Sequence, residues 1–205
     1  MEMTQFLQNL SSADPTPGGG GASALIGSVA AALGSMVGNL TTGKKKYAMY
    51  QEDIERILAQ TGEKWRILEG YIAKDAESFA PLAAAYGIPK DQEGREEILQ
   101  NALIEAARVP LEIARECASL VPLLEELSEK GSRLAISDVA VAAVACRSAI
   151  EGAVMNVYIN TKLMTDRALA DSMNAEANQL VADSRVRLDK VYEEISNQLQ
   201  GKYQS

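Results

Sequence analysis

The sequence contains no histidine. That removes the side chain whose ordinary pKa lies nearest neutrality. It also excludes a Ser-His-Asp triad and any histidine-ligated zinc site. Proton transfer is left to a carboxylate, a lysine, a tyrosine, a cysteine or water. Cysteine is scarce as well. Cys117 and Cys146 stand far apart and form neither a Cys-x-x-Cys pair nor a disulfide framework. Both lie in apolar, helix-like text, which reads as buried free thiols in a reducing cytoplasm. Basic charge is in deficit: 20 Lys and Arg against 28 Asp and Glu leave −8. A general nucleic-acid binder needs a basic face, so that class is not expected. The opening MEMTQFLQNLSS has an acid at position 2 and no apolar run, and it does not read as a secretory signal.

What is abundant is small and apolar. Hydrophobic residues make up 47% of the chain and aromatics only 5%, so alanine, the best helix former, carries much of the total. Alternating β-branched runs are scarce and prolines number six. The expectation is an all-α chain forming a single domain over residues 1–205, a helical bundle with two buried central helices. The pattern predicts helices over 3–10, 21–42, 47–86, 91–120, a short one opened by Pro122 and closed at Gly131, 138–166 and 175–199. Loops are expected at Ser11–Gly20 and at Gly87-Ile88-Pro89. Pro81 and Pro110 are candidate kinks.

Segments 21–42 and 139–164 are rich in small residues and poor in charge. Such a helix is buried or spans a membrane. The first is long enough to cross a bilayer, but its Ala, Gly and Ser content makes insertion weak, so no membrane is expected. Gly27, Gly34 and Gly38 share one face, and small residues there let another backbone approach closely, in the same chain or in a partner.

Several stretches carry candidate chemistry. PTPGGGGA precedes the first apolar helix. It is not a GxxxxGK[ST] loop and follows no strand, so a nucleotide site is unsupported. Close approach of backbone to a ligand or partner remains, through Pro17, Gly18, Gly19, Gly20 and Gly21. Lys44, Lys45 and Lys46 follow that helix, beyond Asn39. They can offset its C-terminal dipole or attract an anionic tail. Tyr71, Asp75 and Phe79 fall on one helical face. Asp75 there is either exposed at an edge or held in a pocket, where desolvation would suit it to general acid or base work. Asp138 follows Ser137 at a helix start, where a cap or first-turn acid is the plain explanation. Asn156 and Asn160 lie in register with Gly152 on an apolar helix. Their amides need partners, either a ligand or a neighbouring helix.

Two blocks carry a resemblance. PTPGGGGASALIGSVAAALGSMVGNLTTGKKKY and SDVAVAAVACRSAIEGAVMNVYINTK closely resemble the cyclodeaminase/cyclohydrolase family of folate enzymes. The likeness extends over about residues 5–195. The resemblance implies an all-helical bundle that pairs as a homodimer and needs neither metal nor redox cofactor. It implies one of two reactions at the carbon between N5 and N10 of tetrahydrofolate. Length, the unbroken GKKKY and the NVYINTK ending favour the stand-alone methenyltetrahydrofolate cyclohydrolases over the cyclodeaminases that release ammonia. Under that resemblance Asp75 or Asp138 serves as base and Lys46 as proton donor or oxyanion holder. Asn156 and Asn160 orient the pterin or the reacting carbon. Lys44 and Lys45 attract the glutamate tail, Asn39 joins the binding set, and the glycines of 18–21 let backbone approach the folate.

Overall fold

The structure, a computed structural model, describes residues 2–202. Those residues form α-helices and 3-10 turns, and no strand occurs among them. The helices are α1 (Met3–Leu10), α2 (Gly19–Asn39), α3 (Gln51–Tyr86), α4 (Arg95–Ala118), α5 (Val121–Lys130), α6 (Ile136–Thr161) and α7 (Arg167–Leu199). 3-10 turns over Lys45–Tyr50 and Arg133–Ala135 lead into α3 and α6.

α2 lies between α3 and α6, and α7 flanks α6, which makes one layer. α4 bridges α3 and α6 on one side of that layer, and α5 extends it toward α7. α2 and α6 run antiparallel: Gly19 meets Asn156, Ser23 meets Gly152 and Gly27 meets Ala149. Their close approach depends on glycine. A Cβ on Gly152 would stand 2.6 Å from Ser23 Oγ, and one on Gly27 would stand 2.5 Å from Cys117 Sγ. Gly34 packs on Thr61 and Gly38 on Leu58. The Gly27, Gly34 and Gly38 face is therefore occupied by α3, α4 and α5 of the same chain, and needs no partner chain to explain it.

Three expectations are corrected. α2 begins at Gly19, so Gly19 and Gly20 join Gly21 in its first turn instead of lying in a loop. α6 ends at Thr161, and α7 starts at Arg167, where the Asp166 carboxylate accepts from Leu169 N–H at 3.0 Å. α2 and α6 are central but not buried all round, because Ile26, Val29, Met36 and Leu40 on α2 are exposed, as are Val141, Val144, Met155 and Ile159 on α6. α2 is the one helix among the described residues long and apolar enough to cross a membrane, and half of that window is buried inside the protein. Pro81 and Pro110 both lie inside helices. The cysteines are buried, and Cys146 S–H donates to the Cys117 carbonyl at 3.2 Å. Burial pushes the Cys146 thiol up to about 12 and Cys117 well above its usual value, so both are neutral packing groups.

Candidate active site

The glycine run and Asp75 fit into one another. Gly21 N–H donates to Asp75 Oδ2 at 2.8 Å. A Cβ on Gly20 would sit 2.1 Å from Asp75 Oδ1, so only glycine leaves room for the carboxylate there. The first turn of a helix has N–H groups without intrahelical partners and a positive dipole end. Asp75, projecting from α3, occupies that position at the start of α2. Burial pushes its pKa above the ordinary carboxylate value, and the Gly21 hydrogen bond opposes this. The hydrogen bond anchors the carboxylate and burial raises its basicity, which suits it to taking a proton from water.

A cavity of about 380 Å³ opens beside it. Its wall includes Gly18, Gly19, Gly20, Asp75, Asn156 and Asn160 from the expected set. Asn156 lies against Gly19, where a Cβ would stand 3.0 Å from its Nδ2, and that amide donates to the Gly152 carbonyl at 2.9 Å. Asn160 Nδ2 donates to the Ala106 carbonyl at 2.9 Å and to the Asn156 carbonyl at 2.8 Å. Asn160 thus ties α6 to α4 and also lines the cavity, so both readings of its amide hold. Pro17 is not in the wall; it packs above Gly21. Gly21 is buried and acts through its N–H.

The other expected residues are elsewhere. Asn39 is the last residue of α2, about 30 Å from Gly19 at 1.5 Å per residue, and Lys44, Lys45 and Lys46 follow beyond it. Asn39 donates to the Ser35 carbonyl and faces a groove toward α3. Asp138, in the first turn of α6, is at that same far end because α6 runs antiparallel to α2. It is not a cap, since the N-cap position is Ala135. Within one chain, neither Lys46 nor Asp138 can act on an atom held at Asp75.

The cavity wall also holds residues outside the expected site set, among them Phe79, which the sequence placed on the Asp75 face. Ser78, Phe79, Leu82 and Tyr86 line it from α3, with Pro110 from α4 and Ile159 from α6. Asp75, Ser78, Phe79, Leu82 and Tyr86 recur at helical spacing, and that period was the available signal. Tyr71, one turn before Asp75 on α3, donates its hydroxyl to Glu112 at 3.2 Å and is not part of the cavity wall.

The family profile described as formiminotransferase-cyclodeaminase matches residues 2–179. The chain belongs to that family. Among its formiminotransferase-cyclodeaminase relatives, a methenyltetrahydrofolate cyclohydrolase of Methylorubrum extorquens is 40% identical over 198 residues, covering 95% of each chain. A formimidoyltransferase-cyclodeaminase of Rattus norvegicus is 30% identical over 186 residues, and the match spans 34% of that longer protein. In three dimensions the chain is similar to formiminotetrahydrofolate cyclodeaminase from Thermotoga maritima, with a TM-score of 0.82 and 31% identity, covering 98% of this chain and 96% of that one. A formiminotransferase-cyclodeaminase family member thus has its glycine-rich first block and its Asn156 block meeting at one cavity.

Proposed function

We propose that this protein is a methenyltetrahydrofolate cyclohydrolase, which hydrolyses 5,10-methenyltetrahydrofolate to 10-formyltetrahydrofolate. The observation that carries the reading is the 40% identity over 95% of both chains to a protein of that name. Asp75 at the cavity supplies matching chemistry. Water adds to the cationic amidinium carbon between N5 and N10, and the Asp75 carboxylate accepts its proton. The neutral adduct then loses its hydroxyl proton as the C–N5 bond breaks, and N5 is protonated. The product is the N10-formyl compound, with one proton released overall. The carboxylate also lies near the positive charge of the substrate, which favours binding of the bridged form. Asn156 and Asn160 orient the pterin, and Gly18–Gly20 let it approach the backbone. The reaction as written uses no metal and no redox cofactor. In this reading the protein works in the cytoplasm as a homodimer and acts on neither nucleic acid nor membrane.

The second reading, a formimidoyltetrahydrofolate cyclodeaminase releasing ammonia, is favoured by the TM-score of 0.82 to the Thermotoga maritima enzyme. One assay separates them. Purified protein is given 5,10-methenyltetrahydrofolate and loss of its absorbance is followed. It is then given 5-formiminotetrahydrofolate, and ammonia is measured. Hydrolysis above the spontaneous rate without ammonia release supports the cyclohydrolase. Ammonia release without accelerated hydrolysis overturns it.

A further inference from the structure

Pro110 stands inside α4, where a proline has no N–H to give. The carbonyl four residues earlier, that of Ala106, therefore lacks its usual helical donor. Ala106 and Pro110 are both buried, and both belong to the wall of the Asp75 cavity. A buried carbonyl without a donor is costly. The donor comes from another helix. Asn160 Nδ2, on α6, reaches the Ala106 carbonyl at 2.9 Å.

The same nitrogen also donates to the Asn156 carbonyl at 2.8 Å. An amide turned the other way would press its oxygen against both carbonyls with no proton between. The network therefore fixes which atom is the nitrogen. An asparagine amide has two N–H donors and one acceptor oxygen, and here both donors are used inside the protein. Oδ1 has no partner among the described residues. It is not sealed in either, because the one buried side-chain polar atom without a partner among the described residues is Arg147 Nε. Asn160 is 8% exposed, and the space it lines is the cavity. Asn156 differs: its Nδ2 donates to the Gly152 carbonyl and one N–H remains, so it can donate or accept. Asp75, when ionised, only accepts. Two polar groups of the wall thus offer lone pairs alone, and a ligand held against them must bring N–H or O–H groups.

We infer that Pro110 is a positioning residue. By freeing the Ala106 carbonyl it turns the Asn160 amide so that Oδ1 faces the cavity, where it accepts a hydrogen bond from an N–H of the ligand. In the folate reading, on which the identity of the donor rests, that N–H belongs to the ring nitrogens or the amino group of the pterin. A ring edge bearing only acceptors is refused there.

Two measurements test the assignment. Pro110→Ala returns an N–H to position 110, which competes with Asn160 for the Ala106 carbonyl. The Asn160 side-chain N–H pair is identified in proton–nitrogen correlation spectra by its loss in Asn160→Ala. In the free wild-type protein the pair is expected to exchange slowly with water, and in Pro110→Ala roughly tenfold faster. Fast exchange in the wild type would put the N–H groups in the cavity. Unchanged exchange in Pro110→Ala would remove the proline from the orientation. Either result overturns the inference. Kinetics then ask whether the proline acts through the amide. Pro110→Ala and Asn160→Ala are each expected to raise KM for 5,10-methenyltetrahydrofolate about 3–10-fold, as the loss of one neutral hydrogen bond would. Together they are expected to raise it no further than Asn160→Ala does. Additive effects would mean that the proline ring acts by its own contact, which overturns the coupling. If wild-type protein accelerates neither folate reaction, the folate reading fails while the exchange measurement still decides whether Pro110 orients Asn160.

Discussion

At the residue scale, Asp75 and Gly20 depend on each other. Asp75→Asn keeps an acceptor for the Gly21 N–H but loses the base, so kcat is expected to fall by roughly 10²–10⁴-fold in a folded protein. Burial raises the Asp75 pKa, which places the acid limb of kcat/KM above the usual aspartate range in the wild type. The same shift sets a stability trend. A carboxylate whose pKa is higher folded than unfolded disfavours folding when it is ionised, and that cost disappears as pH falls through the folded pKa. Asp75→Asn is therefore expected to melt at or above the wild-type temperature at pH 8. The difference should shrink in mildly acidic buffer, and a widening gap on acidification would contradict the account. Gly20→Ala is expected to mimic the loss of Asp75 in turnover, because the new Cβ would lie 2.1 Å from Oδ1 and displace the carboxylate. Circular dichroism should show the helices intact.

At the scale of elements, glycine sets how closely the helices approach. Gly27 faces Cys117 of α4, and an added Cβ would meet Sγ at 2.5 Å while also pressing on Leu68 and Ala149. These neighbours belong to three different helices, so none can yield alone. Gly27→Ala is expected to lower unfolding free energy by about 1–3 kcal/mol in urea titrations, although alanine is the better helix former by propensity. A stabilised variant would show that the packing relaxes at little cost. Asn160 plays a related part, joining α6 to α4 through the Ala106 carbonyl. Ion pairs such as Lys64–Glu116 and Lys74–Glu112 align α3 with α4 at the surface. They are partly exposed and contribute little each.

At the scale of the whole molecule, one face of the α2–α6 layer is apolar and uncovered in a single chain. Met36→Lys places a cation near the C-terminus of α2, where it does not disturb the helix itself. The variant is expected to keep its helicity in circular dichroism, because position 36 is exposed.

Composition and spacing by themselves determined that the chain is helical. They also picked out Asp75, Asn156 and the glycines, since residue types and helical period are local properties. The family likeness was legible in the same blocks. Only the tertiary structure decided which of these residues meet. Asp75 and Gly20 are 55 positions apart in the chain, and their contact depends on how α3 crosses the start of α2. The lysine run reads as part of the same site because it closes the same family-like block as the glycines, yet a helix of 21 residues holds it away from Asp75 within one chain. Helix length is visible in sequence, but which ends come together is set by packing between elements.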